Sequence, residues 1–250
     1  MKWVSERDLE SDGIRLFCLP HAGSGAAGFY RWKRLLPEPI RVCPVLPPGR
    51  EVRLAETPLL RIEQVVDGLQ AEVGPLLRET PYAIFGHSMG ALLAFEWARR
   101  IAEHGLPEPH MLFVSGRNAP RISARRVLHR LPDEAFVEAL QHRYGGVPDG
   151  FLEDAELREV FLPILRADLE VVETYAFEAG GALRCPVMSL AGEQDGSVSE
   201  IGLAAWAETT SGPFSSRRIM GDHFFHLGAG QAELLNVVTA SLITPGSSAT

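Results

Sequence analysis

The chain has 250 residues, 46% of them hydrophobic and 22% charged, and its 24 basic and 32 acidic side chains give a formal charge of −8. That length buries one sizeable core and reads as a single domain, residues 1–250, while the composition excludes collagen, coiled coil and wholesale disorder. The acidic balance excludes a general nucleic-acid binder, which needs clustered Lys and Arg against phosphates, and lysine occurs only at positions 2 and 33.

No apolar run reaches the roughly 18 to 20 residues that span a bilayer. The stretch Met1–Gly13 is polar, with no hydrophobic signal core, so the expected location is the cytoplasm. Cys18, Cys43 and Cys185 are odd in number and widely spaced, each in or beside an apolar run, which makes them packing residues rather than a disulfide framework or a metal knuckle.

In chain order, the first predicted strand is Arg15–Leu19, followed by the small-residue loop His21-Ala22-Gly23-Ser24-Gly25 and a second strand at Arg41–Leu46. Apolar residues at 62, 65, 66, 69, 73, 76 and 77 predict a helix over Ile62–Leu77. Tyr82–Phe85 is the third strand, Ala91–Ala102 a helix, and Met111–Ser115 the fourth strand. The alternation then stops. Residues 117–184 carry helical periodicity and no convincing strand, and read as a helical insertion covering one edge of the sheet. Within it, Pro132–Tyr144 starts as a helix should, with Pro in the first turn followed by Asp133 and Glu134. Leu157, Val160, Phe161, Ile164, Leu165, Leu169 and Val172 form one helical stripe, which Pro163 is expected to kink or split. Pro186–Ala191 and a weaker run at Ser216–Met220 complete the strands, and 244–250 is expected to be a disordered tail. Continuous apolar strands alternating with helices imply a parallel α/β sheet with right-handed crossovers.

The sharpest local signal is Gly86-His87-Ser88-Met89-Gly90, set between a strand and a helix. Such a corner strains the central residue, requires small neighbours and pushes the Ser88 hydroxyl outward as a candidate nucleophile. The Met89 N–H at the helix start is a candidate oxyanion donor, and the Ala22 N–H in the first loop is the candidate second donor. The hydroxyl needs a base. Among eight histidines, His223 follows the last weak strand, late in the chain, which suits the order Ser, acid, His; His226 is the alternative. Asp195 follows the Pro186–Ala191 strand on the face where active-site loops lie, with Glu193 and Asp222 as alternatives.

Together Leu19-Pro20-His21-Ala22-Gly23, Pro48-Gly49-Arg50, Gly86-His87-Ser88-Met89-Gly90-Ala91, Ser115-Gly116-Arg117, Ala191 to Asp195 and His223-Phe224-Phe225 resemble the type II thioesterases of polyketide synthases and nonribosomal peptide synthetases. The resemblance covers nearly the whole chain. It implies an α/β-hydrolase fold with a helical lid, Ser88, Asp195 and His223 as triad, and Ala22 and Met89 as oxyanion donors. It also implies hydrolysis of acyl groups from the phosphopantetheine thiol of acyl or peptidyl carrier proteins. The chain departs from the family pattern at Asp222 (usually Gly), His226 (usually Leu), Gly196 (commonly Pro) and Ser24 (frequently Gly).

No cofactor or metal is expected, and a monomer is the default. The apolar underside of the insertion is expected to form an acyl chamber. Arg117, Arg121, Arg125, Arg126 and Arg130 are a candidate landing area for an acidic carrier protein. A soluble esterase acting on small esters uses the same chemistry, and a carrier-binding protein with a vestigial site is the reading from another class.

Overall fold

The structure is a computed structural model that describes residues 1–10, 13–122, 127–148 and 150–243. Six strands, β1 (Ile14–Leu19), β2 (Ile40–Pro44), β3 (Tyr82–His87), β4 (Leu112–Ser115), β5 (Val187–Gly192) and β6 (Phe214–Ile219), form one sheet in the order β2-β1-β3-β4-β5-β6. Every pairing among the described residues is parallel. The helices are α1 (Glu6–Leu9), α2 (Trp32–Leu35), α3 (Ile62–Val73), α4 (Met89–Glu103), α5 (Asp133–Tyr144), α6 (Ala155–Thr174), α7 (Glu200–Ala204) and α8 (Gln231–Ile243).

Alternate side chains of each strand enter opposite layers of core. Phe17, Leu19, Ile84 and Val114 pack with α3 and α4 on one face, while Leu16, Cys18, Phe85 and Phe113 pack with Trp32 and α8 on the other. The strands are thus buried on both sides, which is why they read as unbroken apolar runs. All three cysteines are free and buried, as their settings predicted. The weak sixth signal has a physical cause: β6 lies at the sheet edge, and Ser215, Ser216 and Arg217 face solvent.

Two expectations need correction. The predicted Ile62–Leu77 helix ends at Val73, and Gly74–Arg78 continues as a 3₁₀ turn. Pro75 lacks an N–H and its ring opposes the carbonyl four residues back, so the α-helical ladder cannot continue. Conversely, Pro163 does not split its helix: α6 runs through it, capped at the start by Asp154, whose side chain accepts from the amides of Glu156 and Leu157 at 3.0 Å. Burial of Leu162, Ile164, Leu169 and Val171 offsets the hydrogen bond lost at the proline.

The chain passes from β1 outward to β2 and then crosses back to β3, so β1 and β3 are neighbours whose following loops diverge. Leu19 pairs with Gly86 at their ends. This is the switch point of an open α/β sheet, where a crevice opens beyond the strand ends. The predicted disordered tail, 244–250, and Arg125 and Arg126 lie outside the described residues. No helix among those described is long and apolar enough to cross a membrane.

Candidate active site

Ser88 sits between β3 and α4 with φ +54° and ψ −110°. Ser88 and Glu51 are the two non-glycine residues with positive φ among those described, and such strain persists only where surrounding structure enforces it. Here the enforcement is visible. The Ser88 amide donates to the Ser115 carbonyl at the end of β4 at 2.7 Å. A Cβ on Gly86 would run into the Gly90 carbonyl, and one on Gly90 into the carbonyls of Leu19 and Pro20. The glycine spacing therefore follows from backbone packed on backbone.

Met89 is the first residue of α4, so its N–H has no acceptor within the helix. The Ala22 amide has no acceptor among the described residues, although its neighbours are engaged: Ser24 N–H donates to His21 carbonyl at 3.1 Å and Gly23 N–H to Asp168 at 2.7 Å. Ala22, Ser88, Met89 and His223 all line one cavity of about 560 Å³. Two residues with unused amides thus line the same cavity as Ser88.

Nδ1 of His223 lies 2.8 Å from Oδ2 of Asp195, and both residues are 4% exposed. An ionised carboxylate only accepts, so Nδ1 carries a proton, and the neutral imidazole in this pair is the tautomer with its lone pair on Nε2. Burial pushes the Asp195 pKa up, but hydrogen bonds from His223 and Ser197 outweigh it and leave the carboxyl below its ordinary value. Of the alternatives, Glu193 is exposed, and Asp222 turns back to accept from the Phe224 amide at 2.8 Å.

His226 is buried and stacks on His87 with ring centroids 3.8 Å apart, its Nδ1 without a partner among the described residues. His21 joins them, 5.3 Å from His226 and 6.0 Å from His87. Burial holds all three neutral. The His21 pKa is pushed down to about 3, by burial first and by the nearby His223 second, and those of His87 and His226 fall well below the ordinary value. His223 is the one imidazole in this group with a carboxylate partner.

The cavity is walled on its apolar side by Leu140 of α5, Phe151, and Leu157, Phe161, Leu165 and Leu169 of α6. A second cavity of about 230 Å³ shares Ser88, Arg117, Tyr144, Leu169 and Val172 with the first, with Asn118, Arg143, Tyr175 and Ser197 on its other walls. The Arg117 guanidinium has no hydrogen-bond or ion-pair partner among the described residues, and burial lowers its pKa. The five-arginine cluster is accordingly not a single free patch: Arg117 lines the cavities, and Arg121 pairs with Glu208 at 2.5 Å. No group of three or more His, Cys, Asp or Glu among the described residues is arranged to hold a metal ion.

Residues 14–242 match the thioesterase domain family. The chain belongs to that family. This thioesterase is 42% identical over 226 residues to the gramicidin S biosynthesis protein GrsT of Aneurinibacillus migulanus, covering 90% of this chain and 88% of that one. It is 40% identical over 215 residues to thioesterase PikA5 of Streptomyces venezuelae, covering 86% and 76%. Among solved structures it resembles RedJ, the thioesterase of the prodiginine pathway in Streptomyces coelicolor, with TM-score 0.87 and 34% identity over 94% of this chain and 87% of that one. The α/β-hydrolase fold and hydrolase class expected from the motifs hold for this thioesterase.

Several of its site residues were not anticipated as such. Ser197 donates its hydroxyl to Asp195 Oδ1 at 2.5 Å and its amide to the same atom at 2.9 Å. Tyr144 lies with its ring 4.8 Å from that of His223. Asp168 and Arg50 form a buried pair beside the first loop. One sequence signal existed for Asp168: it is a lone carboxylate on the face of α6 that carries Ile164, Leu165 and Val172.

Proposed function

We propose that this thioesterase clears acyl groups from the phosphopantetheine thiol of acyl or peptidyl carrier proteins, an editing role in polyketide or nonribosomal peptide synthesis. The observation that carries the reading is the meeting of two unlike cavities at Ser88, one large and apolar, the other smaller and polar. An apolar chamber suits an acyl chain, and a polar channel suits the amide-bearing pantetheine arm. The relatives named for gramicidin S and prodiginine pathways support the same substrate class.

In this reading Ser88 Oγ attacks the thioester carbonyl while His223 Nε2 takes its proton, and Asp195 holds the imidazole in the required tautomer. The oxyanion is held by the Ala22 and Met89 amides, each donor contributing about 3 to 4 kcal/mol. The C–S bond then breaks, the proton passes from His223 to the leaving thiolate, and an acyl-Ser88 ester remains. Water, deprotonated by His223, attacks that ester; the C–O bond to Ser88 breaks, the serine regains its proton and the free acid leaves. The 117–184 insertion, with α5 and α6, acts as the lid over the acyl chamber.

The test is release of carrier thiol from a set of acyl-carrier proteins, with Ser88→Ala as control. Turnover by the wild type that vanishes in Ser88→Ala supports the reading. Faster turnover of a simple oxygen ester than of any acyl-carrier protein would make it an esterase, and residual wild-type activity in Ser88→Ala would remove the serine from the mechanism.

A further inference from the structure

Arg50 and Asp168 are 118 positions apart and both nearly closed to solvent, at 4% and 3% exposure. Their contact is bidentate: Nη1 to Oδ2 at 2.7 Å and Nη2 to Oδ1 at 2.8 Å. Neither residue touches the cavity that holds Ser88 and His223. Yet each also reaches the loop after β1. Asp168 Oδ2 accepts the Gly23 amide at 2.7 Å, and Arg50 Nη1 donates to the Ser24 carbonyl at 2.8 Å.

The two groups held are those that follow Ala22 in the chain. Gly23 has φ +80°, and α6 presses Leu165 onto it so closely that a Cβ there would collide with the leucine side chain. Leu165 and Asp168 stand three positions apart on one face of α6. The loop that presents the Ala22 amide is thus seated on α6 through Leu165 and Asp168 and held as well by Arg50.

We infer that Arg50 and Asp168 are positioning residues: by clamping Gly23 and Ser24 they keep the Ala22 N–H aimed at the developing oxyanion, and they make that aim depend on the seat of α6. The inference rests on the proposed oxyanion role of Ala22. A buried ion pair is poor evidence of a stabilising purpose, because replacing both partners with apolar residues of similar volume is often neutral or stabilising. A preorganised oxyanion donor, by contrast, is worth about 10² to 10³ in kcat. The two roles therefore separate experimentally.

The experiment compares the wild type with the double variant Arg50→Met/Asp168→Leu, measuring Tm, kcat and KM on an acyl-pantetheine thioester, and affinity for an alkyl trifluoromethyl ketone. The ketone forms a hemiketal with the nucleophile whose oxygen needs the same donors. The clamp requires that the double variant keep its Tm and KM, lose about 100-fold in kcat and lose ketone affinity by a similar factor. A kcat within threefold of wild type at preserved Tm overturns it, as does a kcat loss with unchanged ketone affinity. If the double variant does not accumulate folded, Asp168→Asn, close in shape but uncharged, is expected to lower kcat about tenfold at constant KM; unchanged kcat there also overturns it. A wild type that neither cleaves thioesters nor binds the ketone refutes the reading of the site and the clamp with it, whereas a competent wild type beside an equally competent double variant refutes the clamp alone.

Discussion

Oδ1 of Asp195 accepts both the hydroxyl and the amide of Ser197, which leaves Oδ2 free to face His223 Nδ1 at 2.8 Å. The carboxylate is therefore held through one oxygen by a residue two positions along its own loop and through the other by the imidazole. Asp195→Asn is expected to lower kcat by about 10⁴, because an amide facing Nδ1 favours the tautomer that removes the lone pair from Nε2. Ser197→Ala leaves the carboxylate charged but loosely held, and a loss of about tenfold is expected. Steady-state kinetics on one acyl-pantetheine thioester would check both, and a Ser197→Ala loss as large as that of Asp195→Asn would contradict the division of roles.

The neutral imidazoles of His21, His87 and His226 make the fold sensitive to acid. Their pKa values lie below the unfolded value of about 6.5. Between that value and the folded pKa, about 3 for His21, the unfolded chain binds protons that the native state refuses, so stability falls as pH drops. Each such imidazole contributes a slope of about 1.4 kcal/mol per pH unit. The lowered Asp195 pKa acts in the same direction, its contribution being present above the unfolded carboxyl value and lost as pH falls through the folded one. Urea unfolding of Ser88→Ala at pH 7, 6 and 5 would measure the slope, and adding His226→Leu is expected to reduce it by about one imidazole's share. An unchanged slope would mean that His226 is not held neutral.

Arg117 brings five donors and no acceptor to the junction of the two cavities, and the titratable groups facing it are Tyr144, Tyr175 and Arg143. Pantetheine amide carbonyls are suitable acceptors for it. Arg117→Met is expected to lower kcat/KM about tenfold on acyl-pantetheine and to leave a thioester without amides, such as an S-ethyl ester, within about twofold. An equal loss on both substrates would reject recognition of the arm.

Carrier docking is a separate question, because Arg117 and Arg121 are already committed to the cavities and to Glu208. Arg125→Glu/Arg126→Glu is expected to slow turnover of an acyl-carrier protein about tenfold at low salt and to spare acyl-pantetheine. The difference should shrink as salt rises, since steering between exposed charges is screened. Equal effects on carrier-bound and free substrate would place those arginines outside the docking surface.

The amino-acid order alone determined what depends on neighbours a few positions away. Strands buried on both faces show as apolar runs, the Gly86 to Gly90 corner shows as small residues around a serine, and His223 and Asp195 show by following strands. Where a local rule does not hold, competing local chemistry is the cause, as at Pro75, or tertiary burial is, as along α6 through Pro163. What only the folded chain decided is which distant groups share a space: the stacking of His226 on His87, the approach of His223 to Asp195, the meeting of two cavities at Ser88, and the closure of Arg50 on Asp168 across 118 positions. Periodicity and turn chemistry act within a turn or a pleat, whereas these contacts arise when helices and loops from remote parts of the chain compete for the same volume beyond the ends of β1 and β3.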